Sequence, residues 1–154
     1  MKIFALDTST TNHFSLAIVD GDKILASQNS TSNKVLSSSI IGYIGDVLKK
    51  AKVKLSDIDG FAVGLGPGSF TSLRVGVSTV KALAFATSKP LIGIVSHDVL
   101  AMNVQKNSQV CVVTDAKRQL VYGCLYEKKT RSAKSRQHRR PSFRKTRGLD
   151  KCFI

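Results

Sequence analysis

The sequence predicts an α/β fold in which helices cover a mixed sheet, and three observations point to this class. The first 27 residues contain three short apolar runs separated by polar turns, a pattern typical of strands joined by hairpins. Two longer segments then repeat apolar residues every three or four positions, as amphipathic helices do. Further apolar runs lie between and after these segments, so helices and strands alternate along the rest of the chain.

The first three predicted strands form an antiparallel meander. They lie at residues 2–7, 14–19 and 23–27. The turn Asp20-Gly21-Asp22 is typical of a tight hairpin between the second and third strands. The polar turn at residues 8–12 is too short for the crossover that a parallel pair requires.

The remaining elements are predicted in the following order. They are a helix at 35–51, a strand at 58–63, a helix at 69–86, a strand at 90–95, a short helix at 96–104 and strands at 110–115 and 120–126. Ser69 is a natural N-cap for the second helix. The predicted order is therefore βββαβαβα, with five strands in one mixed sheet, followed by two further strands.

Charge is distributed unevenly along the 154 residues. The formal charge is +14, from 24 Lys and Arg against 10 Asp and Glu. Residues 1–127 hold 13 basic and 9 acidic residues, whereas residues 128–154 hold 11 basic residues and one acidic residue. This tail has no apolar periodicity, and we expect it to be disordered by itself.

Several classes of protein are not supported by the composition. No apolar stretch approaches the roughly 20 residues that span a bilayer, and no secretory leader is recognisable, so a cytoplasmic protein is expected. The three cysteines form no C-x-x-C pair, and the three histidines are isolated. Neither a metal site nor a catalytic set is predicted.

The glycine-rich turn Gly64-Leu65-Gly66-Pro67-Gly68 joins a strand to the second helix. Glycines there allow backbone N–H groups to approach an anion at the positive end of the helix. The turn lacks the lysine of a Walker loop and the third glycine of a dinucleotide fingerprint, so shaping the backbone for packing is the competing interpretation. The residues after the first strand either orient a metal-bound phosphate or simply form a polar turn. The candidate anion or nucleotide contacts are Asp7, Thr8, Ser9, Gly66, Gly68 and Ser69.

Small residues line one face of each long helix. A glycine inside a helix costs about 1 kcal/mol relative to alanine, which suggests a compensating contact. The pattern fits either incidental surface residues or a face on which a helix of another protein packs closely. The candidate partner-interface residues are Ser38, Gly42 and Gly45 on the first helix and Ser72, Gly76 and Thr79 on the second.

Three segments resemble the bacterial TsaB family, also called YeaZ. They are Ile3–Thr10, Leu55–Gly64 and, above all, Gly66–Gly76 with its G-P-G-S-F-T-x-L-R motif. The resemblance runs from Met1 to about Glu127. It implies an actin-like (ASKHA, ribonuclease H-like) lobe.

The same resemblance implies a role in forming N6-threonylcarbamoyladenosine (t6A) beside the anticodon of tRNA. The implied role is that of a non-catalytic subunit supporting a TsaD-like partner. That partner is expected to carry ATP and a metal and to transfer threonylcarbamoyl from threonylcarbamoyl-AMP, so no cofactor is expected in this chain. A TsaE-like ATPase is a further implied partner, and the first two helices are implied to mediate homodimerisation as well.

The resemblance also frames the domain organisation. We expect a first actin-like lobe at 1–107, the start of an incomplete second lobe at 108–127 and a basic tail at 128–154. Because members of the family normally continue into a full second lobe, an altered reading frame or a truncated gene is the expected origin of the tail. Two departures affect the implied interface: residues 31–37 lack the family's H-S-E-x-L-L-P pattern, and Ser72 stands where glycine is usual.

Two other classes of function stay open on the sequence. A nucleic-acid-binding protein could use the basic tail to hold phosphates, including those of tRNA. An independent nucleotide-binding ATPase would need the second lobe that completes a cleft.

Overall fold

A computed structural model describes residues 1–10, 13–31, 36–104, 108–128 and 143–145. The described residues do not include Val35, where the first helix is predicted to start. They also leave out residues 32–35, which belong to the segment 31–37 that lacks the family pattern, and most of the basic tail. The chain divides into two compact units, Met1–Ser96 and His97–Ile154.

The first unit contains one mixed sheet and two long helices. Its elements are β1 (Lys2–Asp7), β2 (His13–Asp20), β3 (Lys23–Thr31), α1 (Leu36–Ala51), a 3-10 turn (Leu55–Asp57), β4 (Gly60–Gly64), α2 (Phe70–Thr87) and β5 (Leu91–Ile94). The strand order is β3-β2-β1-β4-β5. β1 is antiparallel to β2 and parallel to β4, while β2 is antiparallel to β3. The predicted meander and the predicted five-stranded mixed sheet are both confirmed.

The core of this unit lies between one face of the sheet and the two helices. Along β1, Phe4 and Leu6 are buried and alternate with less buried neighbours, as a strand with one covered face requires. The Phe4 and Phe61 rings pack with centroids 5.9 Å apart. The helices contribute the buried residues Ile40, Ile44 and Val47 of α1 and Val80 and Ala84 of α2. These positions recur at the helical spacing from which the sequence predicted each core-facing stripe.

The parallel pairing of β1 and β4 positions the candidate site. Ala5 lies opposite Ala62 and Leu6 opposite Val63, so both strands end at the same edge of the sheet. The residues that follow β1 and the glycine-rich turn that follows β4 are therefore neighbours, although more than 50 residues separate them in sequence.

The second unit is built on an antiparallel sheet. Its strands are β6 (Ser108–Lys117), β7 (Leu120–Lys128) and β8 (Phe143–Lys145), and the helix α3 (Ser96–Met102) precedes them. A small core forms around Ala101, Val112 and Tyr126. The two strands predicted here are present and longer than expected, since β7 includes Lys128. The aperiodic sequence of 128–154 predicts disorder, but residues 143–145 form a strand that pairs with the end of β7.

None of the helices in the part of the chain that the structure describes is long and apolar enough to cross a membrane.

Candidate functional site

The Asp7 carboxylate joins three segments at the edge where β1 and β4 end. Its Oδ1 atom accepts a hydrogen bond from the Ser9 backbone N–H at 2.7 Å. Its Oδ2 atom accepts one from the Ser96 hydroxyl at 2.6 Å, and Ser96 Oγ in turn accepts one from the Gly66 N–H at 3.1 Å. Asp7 therefore links its own turn to the β4–α2 turn and to the end of the segment after β5.

The glycines of the β4–α2 turn are explained by these close approaches. Gly66 has φ of +84°, which favours glycine. A Cβ atom on Gly64 would collide with the Asp7 carboxylate, and one on Gly68 would collide with the Ser9 carbonyl. The Ser69 N–H also donates to that carbonyl at 2.7 Å.

Ser69 begins α2 as the sequence predicted. Its hydroxyl accepts a hydrogen bond from the Ser72 N–H, which places Ser69 at the N-cap. The Ser72 hydroxyl donates to Ser69 Oγ at 3.0 Å. One donor of the first helical turn is thus satisfied within the chain, by the usual capping contact.

Thr8 packs against α2 rather than facing solvent. Its side chain is buried, and its hydroxyl donates to the Ser72 carbonyl at 2.8 Å. A Cβ atom added to Gly76 would collide with Thr8 Oγ1. Gly76 is therefore the residue that allows β1 and α2 to approach each other.

The structure brings the six candidate anion contacts together, and most of their polar groups are already hydrogen-bonded, several of them to Ser72 and Ser96 outside the set. Carboxylate, hydroxyl and amide groups of this cluster form hydrogen bonds within the chain. An incoming phosphate would have to displace those bonds, so the contacts favour the packing interpretation of the turn.

Arg74, one turn into α2, has its guanidinium over the Phe70 ring, 5.3 Å from the centroid. Among the described residues, no group of three or more His, Cys, Asp or Glu side chains could hold a metal ion.

The two small-residue faces differ in their surroundings. On α1, Ser38 and Gly42 are exposed and Gly45 is half-buried. A Cβ atom at either glycine would meet no atom of the described part of the chain within 4 Å. Ile41 beside them is 64% exposed. Ser38, Gly42 and Ile41 therefore lie on the surface of the first unit.

The corresponding prediction for α2 needs correction at Gly76. This glycine is buried inside the unit against Thr8, and Ser72 and Thr79 on the same stripe are half-buried. The close contact that the sequence suggested does exist, but its other side is β1 of the same chain. Helical periodicity shows which residues share a face but does not show what covers it.

Ser96 is the site residue that sequence reasoning missed. In the sequence it is only the first residue of the short helix predicted at 96–104, whereas in the structure its hydroxyl bridges Asp7 and Gly66. It lies 89 positions from Asp7, and no local spacing rule relates the two.

Two hydrogen bonds connect α3 to the hairpin in the second unit. The His97 ring is buried, and its Nε2 atom lies 2.9 Å from Thr114 Oγ1. Burial lowers the pKa of His97, and the Asp98 charge opposes that shift in part. The Tyr126 hydroxyl donates to Asp98 Oδ1 at 2.7 Å, and burial, followed by that hydrogen bond, raises the pKa of Tyr126.

Comparisons with known proteins place this architecture in a family. Residues 24–141 match the family described as "TsaD: tRNA N6-adenosine threonylcarbamoyltransferase". The tRNA threonylcarbamoyladenosine biosynthesis protein TsaB of Buchnera aphidicola is 32% identical over 123 residues, which cover 78% of this chain and 58% of that protein. The TsaB protein of Escherichia coli K12 is 30% identical over 131 residues, covering 83% of this chain and 56% of that protein.

A solved structure gives the same assignment. YeaZ from Pseudomonas aeruginosa superposes with a TM-score of 0.73 at 30% identity, covering 82% of this chain and 60% of that one. The chain thus spans less than two thirds of the length of the relatives that it matches. The superposition confirms the predicted actin-like α/β class. The chain belongs to the family that the TsaD model describes and, within that family, to the TsaB (YeaZ) group.

Proposed function

We propose that this chain acts as a non-catalytic TsaB-like subunit in the formation of t6A on tRNA. In this role it supports a TsaD-like partner, which transfers threonylcarbamoyl from threonylcarbamoyl-AMP to the adenosine next to the anticodon. Similarity to TsaB proteins over about four fifths of the chain supports the pathway. The hydrogen bonds that occupy Asp7, Ser9 and Ser96 support a structural rather than a catalytic role for this edge of the sheet.

The observation that carries the partner-binding part of the proposal is the open face of α1. Gly42 and Gly45 have no side chain, and no atom of the described residues lies within 4 Å of where a Cβ atom would stand at either position. Each glycine inside a helix costs about 1 kcal/mol of stability relative to alanine. Two glycines on one face of α1 therefore favour a compensating contact, in which a helix of another protein packs closely against that face. The exposed Ile41 side chain adds apolar area beside them.

Co-purification with the cognate TsaD-like protein tests this proposal. Gly42→Leu and Gly45→Leu fill the space that a partner helix would occupy, and we expect each to reduce recovery of the complex at least tenfold. Gly42→Ala, which adds one methyl group, should have a smaller effect. Ser27→Leu on β3 is the matched control, because it adds the same side chain at another exposed position. Recovery of both glycine variants at the wild-type level would reject the α1 interface.

The proposal extends to further partners and to cofactors. A TsaE-like ATPase completes the machinery, ATP and a metal belong to the TsaD-like partner, and the complex works in the cytoplasm. Homodimers form through the same α1 face. Sedimentation velocity tests the shared face: adding the TsaD-like protein should convert homodimers into heterodimers, whereas a species containing two copies of this chain and the partner would contradict it.

A further inference from the structure

β5 is an edge strand of the sheet in the first unit. Among the described residues, only β4 pairs with it. The carbonyls of Pro90 and Ile94 accept hydrogen bonds from Phe61 and Leu65 at 2.9 and 2.8 Å, so the backbone groups of Leu91 and Gly93 point toward the open edge. Leu91–Ile94 contains no charge, no proline and no bulge, the devices that usually prevent strand addition.

An apolar groove lies beside this edge. It has a volume of about 670 Å³ and runs from the last turns of α2 to the start of β5. Its apolar lining includes Ala84, Phe85 and Leu91, and Phe85 is 89% exposed. On the other face of β5, Ile92 is 61% exposed and Ile94 38% exposed. A strand added here would therefore meet apolar side chains on both of its faces.

The charge of the groove is uncompensated. Lys81 and Lys89 both line it, and no acidic residue does. Within the described ranges, the ion pairs of the chain involve neither lysine. An occupant carrying carboxylates would supply the missing charge, and charge complementarity of this kind selects partners and orients them.

We propose that β5 and this groove bind an extended acidic segment of another protein by strand addition. Main-chain hydrogen bonds to Leu91 and Gly93 would provide affinity, and alternate side chains would provide specificity. Two acidic residues four positions apart would face Lys81 and Lys89, and an apolar residue midway between them would cover Phe85. This proposal goes beyond the t6A role, because none of its residues lies on the α1 face.

A fluorescein-labelled peptide of sequence SEVFVES tests the proposal on the full chain by fluorescence anisotropy. In an extended conformation its two Glu and its Phe share the face that meets the groove, while its two Val meet Ile92 and Ile94. We expect saturable binding. Lys81→Glu with Lys89→Glu should weaken binding about tenfold or more, since each reversed charge contributes up to roughly 1 kcal/mol. Lys23→Glu with Lys49→Glu is the matched control, because it changes the net charge equally at exposed positions elsewhere.

Two further peptides separate strand addition from simple charge attraction. SKVFVKS should bind at least tenfold more weakly than SEVFVES, and N-methylation of the peptide at Phe should remove binding by blocking an edge hydrogen bond. Three results would overturn the proposal. They are equal affinity for the N-methylated and unmethylated peptides, no saturable binding of SEVFVES, and the same affinity for SEVFVES in the Lys81→Glu, Lys89→Glu variant as in the wild type. Binding to phosphatidylglycerol vesicles without binding to the peptide would also overturn it, in favour of a membrane surface. The α1 interface is tested with different variants and a different assay, so failure of one proposal does not imply failure of the other.

Discussion

The contact between Thr8 and Gly76 shows how one missing methyl group fixes the distance between a strand and a helix. We predict that Gly76→Ala destabilises the protein by about 1–3 kcal/mol, because the new Cβ atom would collide with Thr8 and overpacking typically costs this much. Gly42→Ala is the matched control. Its Cβ atom would meet no described residue within 4 Å, so the higher helix propensity of alanine should stabilise the protein by about 0.5–1 kcal/mol. Urea unfolding measures both, and a Gly76→Ala variant as stable as the wild type would contradict the packing argument.

The Ser96 hydroxyl serves as both donor and acceptor in the Asp7 network. Ser96→Ala removes both hydrogen bonds and leaves the Gly66 N–H and one Asp7 oxygen without these partners. We predict a loss of about 1–3 kcal/mol in the free energy of unfolding, the usual cost of a buried group left unsatisfied. Ser27→Ala at an exposed position should change stability by less than about 0.5 kcal/mol. Equal unfolding midpoints for the two variants would show that the network contributes little.

At the scale of elements, His97 makes the attachment of α3 to the β6–β7 hairpin sensitive to pH. Its pKa in the folded protein lies below the ordinary value of 6.5 because burial disfavours the charged ring. Above pH 6.5 the ring is neutral in both states, and its contribution to stability is complete. As the pH falls through 6.5, the unfolded chain takes up a proton that the folded chain does not, so stability decreases until the lowered pKa is passed.

We therefore predict that hydrogen exchange of the β6 amides accelerates as the pH falls from 7.5 toward 5.5, after correction for the intrinsic dependence of exchange on pH. The His97→Gln variant, which cannot titrate, should lose most of this pH dependence even if it is less stable overall. A wild-type protein whose corrected exchange is constant over this range would contradict the role assigned to His97.

Elements with strong local patterns were predictable, and those that depend on distant partners were not. α1 carries its periodicity within one stretch of sequence, so its existence and its core-facing stripe followed from spacing alone. β8 comprises only Phe143–Lys145, and it is defined by pairing with the end of β7. A run of three residues has no period to recognise, so the sequence predicts no strand there.

In the candidate site, too, the local features were predictable and the contacts between distant residues were not. The sequence identified the glycine-rich turn, the capping role of Ser69 and the residues after β1. It could not decide between anion binding and packing, because that choice depends on which groups meet across the sheet edge. The parallel register of β1 and β4 brings Asp7 next to Gly64 and Ser9 next to Gly68. Both contacts join residues far apart in sequence, so the spacing of residues within either segment does not predict them.

At the scale of the whole molecule, the charge of the basic tail predicts a salt-dependent attraction to RNA. With 11 basic residues against one acidic residue in 128–154, we predict that affinity for tRNA falls steeply between about 50 and 200 mM salt, as phosphate contacts require. Filter binding across this range measures the slope. Replacing Arg136, Arg139 and Arg140 with Gln should reduce the slope, whereas the α1 variant Gly42→Leu should not. An affinity independent of salt would contradict the prediction.

The central position of β1 in the sheet has a consequence for how the polypeptide acquires its shape during synthesis. β1, β2 and β3 are contiguous in sequence and pair only with one another on one side, so this half of the sheet can assemble while the remainder is still inside the ribosome. The other edge of β1 stays unpaired until β4, which begins about 30 residues after the end of β3, has left the ribosome. During that interval the nascent chain exposes a ready edge, and this is when binding by a chaperone would matter most.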